Sequence, residues 1–522
     1  MKTLMYSALI TLLPLLSFGQ QRWEVVFGNP DILEVPLNLT DSYDKGVLIC
    51  TWNELNQATV FKTDKNGEPL WNKLFDGPSP IGFTSIAVDE IGNIVAVGAH
   101  GSNALIVLID KCGELQWCNE LVNEQEYDRT RYTEVIFVNN TILVLGGFYD
   151  DEHNSTIHLA NFELDGTLLW LKEIVNEKDD PLMRELVPAY FDKIGDSYFV
   201  SGFCYYAKPG NPDMFYPRAM FVKIDSLYNK DWFLPYGMED ALTAISRGVI
   251  PLDSDNYRGY GTYLIGSTDT SNAIFMDFDA AGIETGHKGI PNNSISPTVK
   301  DNDLMALQVI DDSTYFITAQ VGEIPLEVNP IGEWTMDTSG YVYAYQNHPG
   351  AFSISHPTTK TNEGQFVTVG KKMNETIDIL LYKLNADLSQ AEFDTSTIVY
   401  DSLCDSLPIV SDTIYLDNCS IITGIEEVPT PQEYYAFIKT IPVDVFPNPA
   451  TTDIVFELGN TGLHKNISLA CFDINGKLVF EQTVQPGQTQ IKSSVANWKS
   501  GMYIAVTSSS TGGTGSAKFV VK

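Results

Sequence analysis

Three stretches of the chain, DKNGEPLW (64–71), DKCGELQW (110–117) and LDGTLLW (164–170), place a tryptophan four residues after a turn glycine. Weaker copies follow at 225–232, where Asn229 stands near the glycine position, at 279–282, at 329–334 and at 385–388. Each copy is preceded by a second turn, at 44–46, 89–93, 139–140, 192–196, 253–256, 311–313 and 362–364. Between the turns lie short runs such as FTSIAV (83–88), NIVAVGA (93–99), ALIVLID (104–110) and ELQWCNEL (114–121), rich in β-branched residues and without helical periodicity. Four strands recurring about every 50 residues read as blades of a β-propeller. The expected count is seven, with six or eight open because residues 320–350 do not divide cleanly. Glycine often closes the second strand, at Gly98, Gly146, Gly202, Gly266 and Gly370.

The turn-plus-tryptophan motif resembles the quinoprotein-like propeller repeats of secreted Bacteroidota proteins. The likeness stops at the turn, with no vicinal cysteines or calcium-ligand cluster, so no cofactor is expected. Trp71, Trp117 and Trp170 are expected to pack between blades. WEVVFG (23–28) is similar to the fourth strand WNKLFDG (71–77), which predicts that the N-terminal strand completes the last blade and closes the ring.

Ahead of that strand, residues 1–19 carry Lys2, an apolar run of about a dozen residues and small residues Ser17 and Gly19, the pattern of a signal peptide. No segment approaches the roughly 20 apolar residues of a transmembrane helix. The net charge of −35, from 67 acids against 32 bases, repels phosphate backbones and argues against a nucleic-acid partner. The propeller is expected over 20–400 and a linker over 401–442.

Seven cysteines in an exported chain permit disulfides. Cys404 and Cys419 flank a short segment and are the expected pair; Cys112 with Cys118 stays open, because one falls at a hairpin turn and the other down the strand. Cys50, Cys204 and Cys471 lie in apolar runs and read as buried thiols.

From 443 to 522 about seven short alternating strands predict a small immunoglobulin-like β-sandwich. Pro447-Asn448-Pro449, Asp473 with Gly476 and Lys477, Gly501 with Tyr503, and Lys518 to Lys522 follow in the order of the type A C-terminal sorting domain of the type IX secretion system, which this region resembles. The resemblance implies signal-peptide export to the periplasm, passage through the type IX machinery, and release or attachment at the outer-membrane surface.

No HExxH, GxSxG or Walker sequence is present. His153 and His158 sit five apart on an extended segment, on opposite faces, a poor metal site. The expected function is a surface or secreted binding module for a glycan, protein or ion, with a hydrolase or lyase on the same scaffold as the alternative. Length variation concentrates in the loops joining second to third strands and blade to blade, which share one rim. Tyr205, Tyr206, Phe215, Tyr216 and Arg218 in the 204–218 loop are the leading candidate contacts, followed by Tyr127, Asp128, Arg129 and Tyr149.

Overall fold

The computed structural model describes residues 23–28, 32–122, 129–150, 154–208, 211–236, 241–265, 270–323, 330–348, 351–352, 357–373, 377–398, 400, 411–423, 431–432, 434, 439–459, 461, 464, 466–485, 488–510 and 512–522. They form two compact units.

The first is a seven-bladed β-propeller. Six antiparallel sheets follow one another along 34–76, 81–121, 129–176, 183–236, 241–290 and 299–348. The seventh pairs Ile377–Leu384 and Phe366–Met373 with two short inner pieces, Ala351–Phe352 and Thr358–Lys360. Its outer strand is Glu24–Phe27 from the other end of the chain, in register Glu24 to Tyr382 through Phe27 to Ile379. The expected ring closure is therefore present. First strands of successive blades contact one another in a closed ring and line the central axis.

The repeated turn owes its shape to an aspartate. Asp64 Oδ1 accepts from the Asn66 and Glu68 amides at 2.8 and 2.9 Å, and Asp110, Asp225 and Asp279 do the same in their blades. The fourth residue of the turn has positive φ, as at Gly67 (85°) and Gly113 (82°). Two copies differ from expectation. In blade four the glycine position is held by Tyr228 (φ 61°), not Asn229, and in blade six the turn is Asp337 to Gly340, not 329–334. Trp334 instead lies on that blade's third strand, fully buried.

The glycine is needed for space as well as for φ. A Cβ at Gly67 would lie 2.7 Å from the Trp23 ring, one at Gly166 2.9 Å from Trp117, and one at Gly282 2.7 Å from Trp232. Each of these indoles also donates to a carbonyl of the turn that it covers, Trp23 to Lys65 at 2.9 Å, Trp117 to Leu164 at 2.8 Å and Trp232 to Ala280 at 3.0 Å. One blade's outer strand thus docks on the next blade's turn. Lys73 fills the same role over Gly113, and Lys288 over Gly340. Blade seven has no tryptophan of its own after the Asn385–Leu388 turn, and Trp23 supplies it.

The second-strand glycines have a different cause. Inner strands bulge between Phe83 and Ser85, Pro188 and Tyr190, and Ser246 and Gly248. The facing residues Gly98, Gly202 and Gly261 have no room for a Cβ, which would fall within about 2 Å of a carbonyl oxygen of the bulged strand. In blade five this residue is Gly261; Gly266 lies outside the described residues.

Part of the expected linker belongs to the propeller. Asp412–Tyr415 pairs in parallel with the outer strand of blade one, and Ser420–Ile422 with that of blade two. The second pairing brings Cys419 beside Cys118, and the two form a disulfide with Cα atoms 4.9 Å apart. This corrects the expected Cys404–Cys419 bridge and excludes Cys112–Cys118. The partner of Cys419 is a neighbour only across the sheet edge, which spacing along the chain could not reveal. Cys404 lies outside the described residues, and Cys112 is itself disulfide-bonded. Cys50, Cys204 and Cys471 are free and buried, as expected.

The second unit is a seven-stranded sandwich. Val443–Phe446, Asp453–Leu458 and Gln490–Ser494 form one sheet, and Leu478–Thr483, Ser468–Asp473, Gly501–Ser508 and Thr514–Val521 the other. Phe456, Leu469, Cys471, Tyr503 and Phe519 fill its core. Motif residues 70 positions apart meet here. Asn448 accepts from the Val520 amide at 2.9 Å and donates to the Lys518 carbonyl at 3.3 Å, and Lys522 donates from its backbone to Ala450 at 2.9 Å. Asp473 caps the Gly476 turn by accepting from the Asn475 and Lys477 amides, while the Tyr503 hydroxyl donates to the Lys499 carbonyl at 2.6 Å. Among the described residues no helix is long and apolar enough to cross a membrane.

If Trp23 is the joint that closes the ring, Trp23→Ala should destabilise the mature protein by about 3–5 kcal/mol in guanidinium denaturation. Leu55→Ala, at an exposed position, should change stability by no more than about 0.5 kcal/mol. Equal midpoints for the two variants would contradict the joint.

Candidate functional site

The segment 204–218 is a hairpin rather than a loop. Blade four's second and third strands run Ser197–Lys208 and Asn211–Ile224, and the former is five residues longer than its blade-two counterpart Ile94–His100. At ~3.3 Å per residue the hairpin projects roughly 16 Å farther on the rim shared by inter-blade connections.

Side chains alternate between faces along a strand, so the five leading candidates do not form one surface. Tyr206 stands directly across from Tyr216, and Cys204 across from Arg218, on one face. The Arg218 guanidinium lies 5.5 Å and the Lys208 ammonium 5.7 Å from the Tyr216 ring centre. Tyr206 donates to Asp180 Oδ2 at 2.8 Å, and burial together with that carboxylate pushes its hydroxyl up to about 12. Tyr205 and Phe215 occupy the opposite face, where Arg184 stacks 4.3 Å over Phe215. Arg218 is buried, and desolvation lowers its pKa.

Of the second group, Tyr127 and Asp128 lie outside the described residues. Arg129 and Tyr149 are cross-strand partners at the same rim of blade three. Burial pushes the Tyr149 hydroxyl up to about 12, opposed by Arg131 and Arg129 and reinforced by Glu185 of blade four. The candidates of blades three and four therefore adjoin. Glu177, which sequence reasoning missed, fastens this seam: its buried carboxylate accepts from the Ser155 amide at 2.9 Å, the Ser155 hydroxyl at 3.0 Å and the Glu185 amide at 2.9 Å.

Four of the chain's seven arginines, Arg129, Arg131, Arg184 and Arg218, lie on the strands of blades three and four, with Arg184 and Arg218 on opposite faces of blade four. Arg129, Arg131 and Arg184 are exposed, and none of the three forms a salt bridge with a described residue. His158 has a structural role instead: it stacks on Phe148 at 4.0 Å, and burial pushes it down to about 3. His153 lies outside the described residues.

A second group of polar side chains lines the central axis. Glu134 on blade three's inner strand accepts from Ser85 of blade two, which in turn accepts from Asn38 of blade one at 3.4 Å. Asp192 of blade four accepts from the Val249 amide at 3.0 Å. Arg247 of blade five donates to the Tyr190 hydroxyl at 2.9 Å and to Asp303 at 3.3 Å. Acids are so common in this sequence that nothing marked these two before the ring brought them together.

Desolvation raises both axial carboxyls, Asp192 to about 7 and Glu134 to about 8, with the Ser85 and Val135 hydrogen bonds opposing the rise at Glu134. Between the ordinary carboxylate range, roughly pH 4, and about pH 8 the folded protein holds protons that the unfolded chain has released, so stability falls as pH rises through that window. The urea midpoint is expected to be higher near pH 5.5 than near pH 8.5, with Glu134→Gln shrinking the difference. A midpoint that rises over that interval would contradict the assignment.

Residues 444–522 match the secretion system C-terminal sorting domain family. No curated protein matches the sequence. Among solved structures, the chain is similar to a protein of unknown function from Bacteroides caccae, with 13% identity over 61% of this chain and 94% of that one and a TM-score of 0.33. A neuraminidase-like protein from A/bat/Guatemala shares 9% identity over 72% and 98% at a TM-score of 0.35. Synechocystis apocarotenoid oxygenase shares 10% over 70% and 91% at 0.42.

Proposed function

Because residues 444–522 are a type IX secretion sorting domain, we propose that this protein is an exported extracellular propeller that binds an anionic carbohydrate at the rim between blades three and four. The sorting domain marks the chain for secretion or attachment at the cell surface. In this reading residues 1–19 are the signal peptide, the propeller begins near residue 20, and 443–522 is the passport across the outer membrane.

The observation that supports the ligand class is that blades three and four carry four of the seven arginines of a chain of net charge −35. Guanidinium groups pair with carboxylate or sulfate through two parallel hydrogen bonds, and aromatic rings beside them offer flat apolar faces to a sugar. Arg184 over Phe215, and Arg218 beside Tyr216, combine the two elements. The rest of the acidic surface repels a polyanion, so the favourable contacts are confined to this seam.

The mature protein should retain uronate- or sulfate-bearing polysaccharides on a glycan array and release them as salt rises. Tyr216→Ala and Arg184→Ala should each weaken binding by about 1 kcal/mol or more. Affinity unchanged in both, with losses mapping to the Asp64 or Asp110 turns, would place the site on the opposite rim. Cleavage of the bound polysaccharide during the assay would replace the binding reading with the hydrolase or lyase one.

Deleting 443–522 should leave a folded propeller trapped in the periplasm of a type IX-competent host. Undiminished truncated protein in the medium or on the cell surface would sink the export assignment.

A further inference from the structure

We infer that the central axis of the propeller holds a second binding site, for a small, uncharged, polyhydroxylated molecule of monosaccharide size. Two adjoining lobes of about 400 and about 130 Å³ lie on the axis and share Glu134, Gln308 and Thr358. The larger lobe alone has room for roughly a dozen waters at ~30 Å³ each, and it falls inside the ~300–1,000 Å³ range of small-molecule sites.

The walls offer hydrogen-bonding groups of both kinds. Asp192 accepts the Val249 amide with Oδ2, and its Oδ1 receives no hydrogen bond from a described residue. Arg247 spends its two terminal nitrogens on Tyr190 and Asp303, which leaves its Nε–H buried without a partner among the described residues. Both residues line the smaller lobe. A buried donor without a partner costs about 1–3 kcal/mol, so a guest that supplies an acceptor there recovers that penalty. A hydroxyl donates and accepts at once, and a pair of hydroxyls on one ring can serve the carboxylate and the guanidinium together.

The charge balance favours a neutral guest. The Arg247 charge is already matched by Asp303. A cationic guest would be placed beside Arg247 and an anionic one beside Glu134 and Asp192, each giving up hydration without a spare counter-ion. The raised carboxyl pKa values described above act in the same direction, since they keep the lining weakly charged near neutral pH. Leu39, Ile86 and Val135 supply apolar wall for the C–H face of a ring.

Isothermal titration of the full mature chain with glucose, galactose, xylose and myo-inositol tests the site, with glucuronate and glucosamine as charged counterparts. At least one neutral probe should bind one to one, its charged counterparts about tenfold or more weaker. Asp192→Asn in the smaller lobe and Gln308→Leu at the junction of the lobes should each weaken the neutral probe about tenfold. Tyr216→Ala should leave it unchanged, which separates this site from the anionic-carbohydrate rim. The inference is overturned if no neutral probe gives heat at millimolar concentration, if binding survives both axial variants, or if it is lost in Tyr216→Ala. Should Asp192→Asn fail to fold, Gln308→Leu and difference density on the axis of crystals soaked in the neutral probe decide the matter.

Discussion

The propeller depends on one repeated joint, an outer-strand side chain seated over the next blade's turn glycine. A blade alone is a four-stranded sheet with two exposed faces and cannot bury enough apolar surface to be stable. The joint supplies both the missing burial and the spacing between blades, and at five of the seven turns the covered residue is a glycine with no room for a Cβ. At the last position the joint is made from the two ends of the propeller chain. Trp23 serves blade seven, which has no tryptophan of its own there, with its amide and carbonyl tied to Ala391 and Lys383 and the Lys383 ammonium 5.3 Å from its ring.

The blades beside that closure carry a second fastening. Outer strands present unpaired backbone groups, a standing invitation to edge-to-edge association. Blades one and two cover theirs with the segment 412–422, and the Cys118–Cys419 bridge closes a loop across 301 residues. On the chain-entropy account, a loop that long restricts the unfolded ensemble more than a short one would. The bridge suits a secreted or surface-attached protein.

The rim and the axis of the propeller follow different rules. The rim is where strands can lengthen without disturbing the ring, and blade four uses that freedom for its aromatic and cationic hairpin. The axis is where the inner strands of all seven blades converge, so groups scattered over the chain from Asn38 to Thr358 face one space. Polar side chains there are held in a few directed hydrogen bonds, with surface left over for a guest.

Local chemistry made much of this legible in the sequence. The Asp-x-x-Gly turns, the four-residue step to tryptophan, the kinship of WEVVFG with WNKLFDG and the ordered motifs of the last 80 residues are short-range patterns, and each determined its element. Turn φ angles and strand periodicity are set by neighbours in the chain, which is why such signals survive without coordinates. Contacts between elements were decided only by the tertiary structure. Tyr205 and Tyr206 are adjacent in sequence and face opposite ways; Cys419 lies closer to Cys118 than its spacing from Cys404 suggested; Asn448 meets Val520. Glu134 and Asp192 are two acids among 67 until the ring closes and removes them from water. A side chain's residue type is written in the chain, but its solvent and its partners are properties of the closed fold.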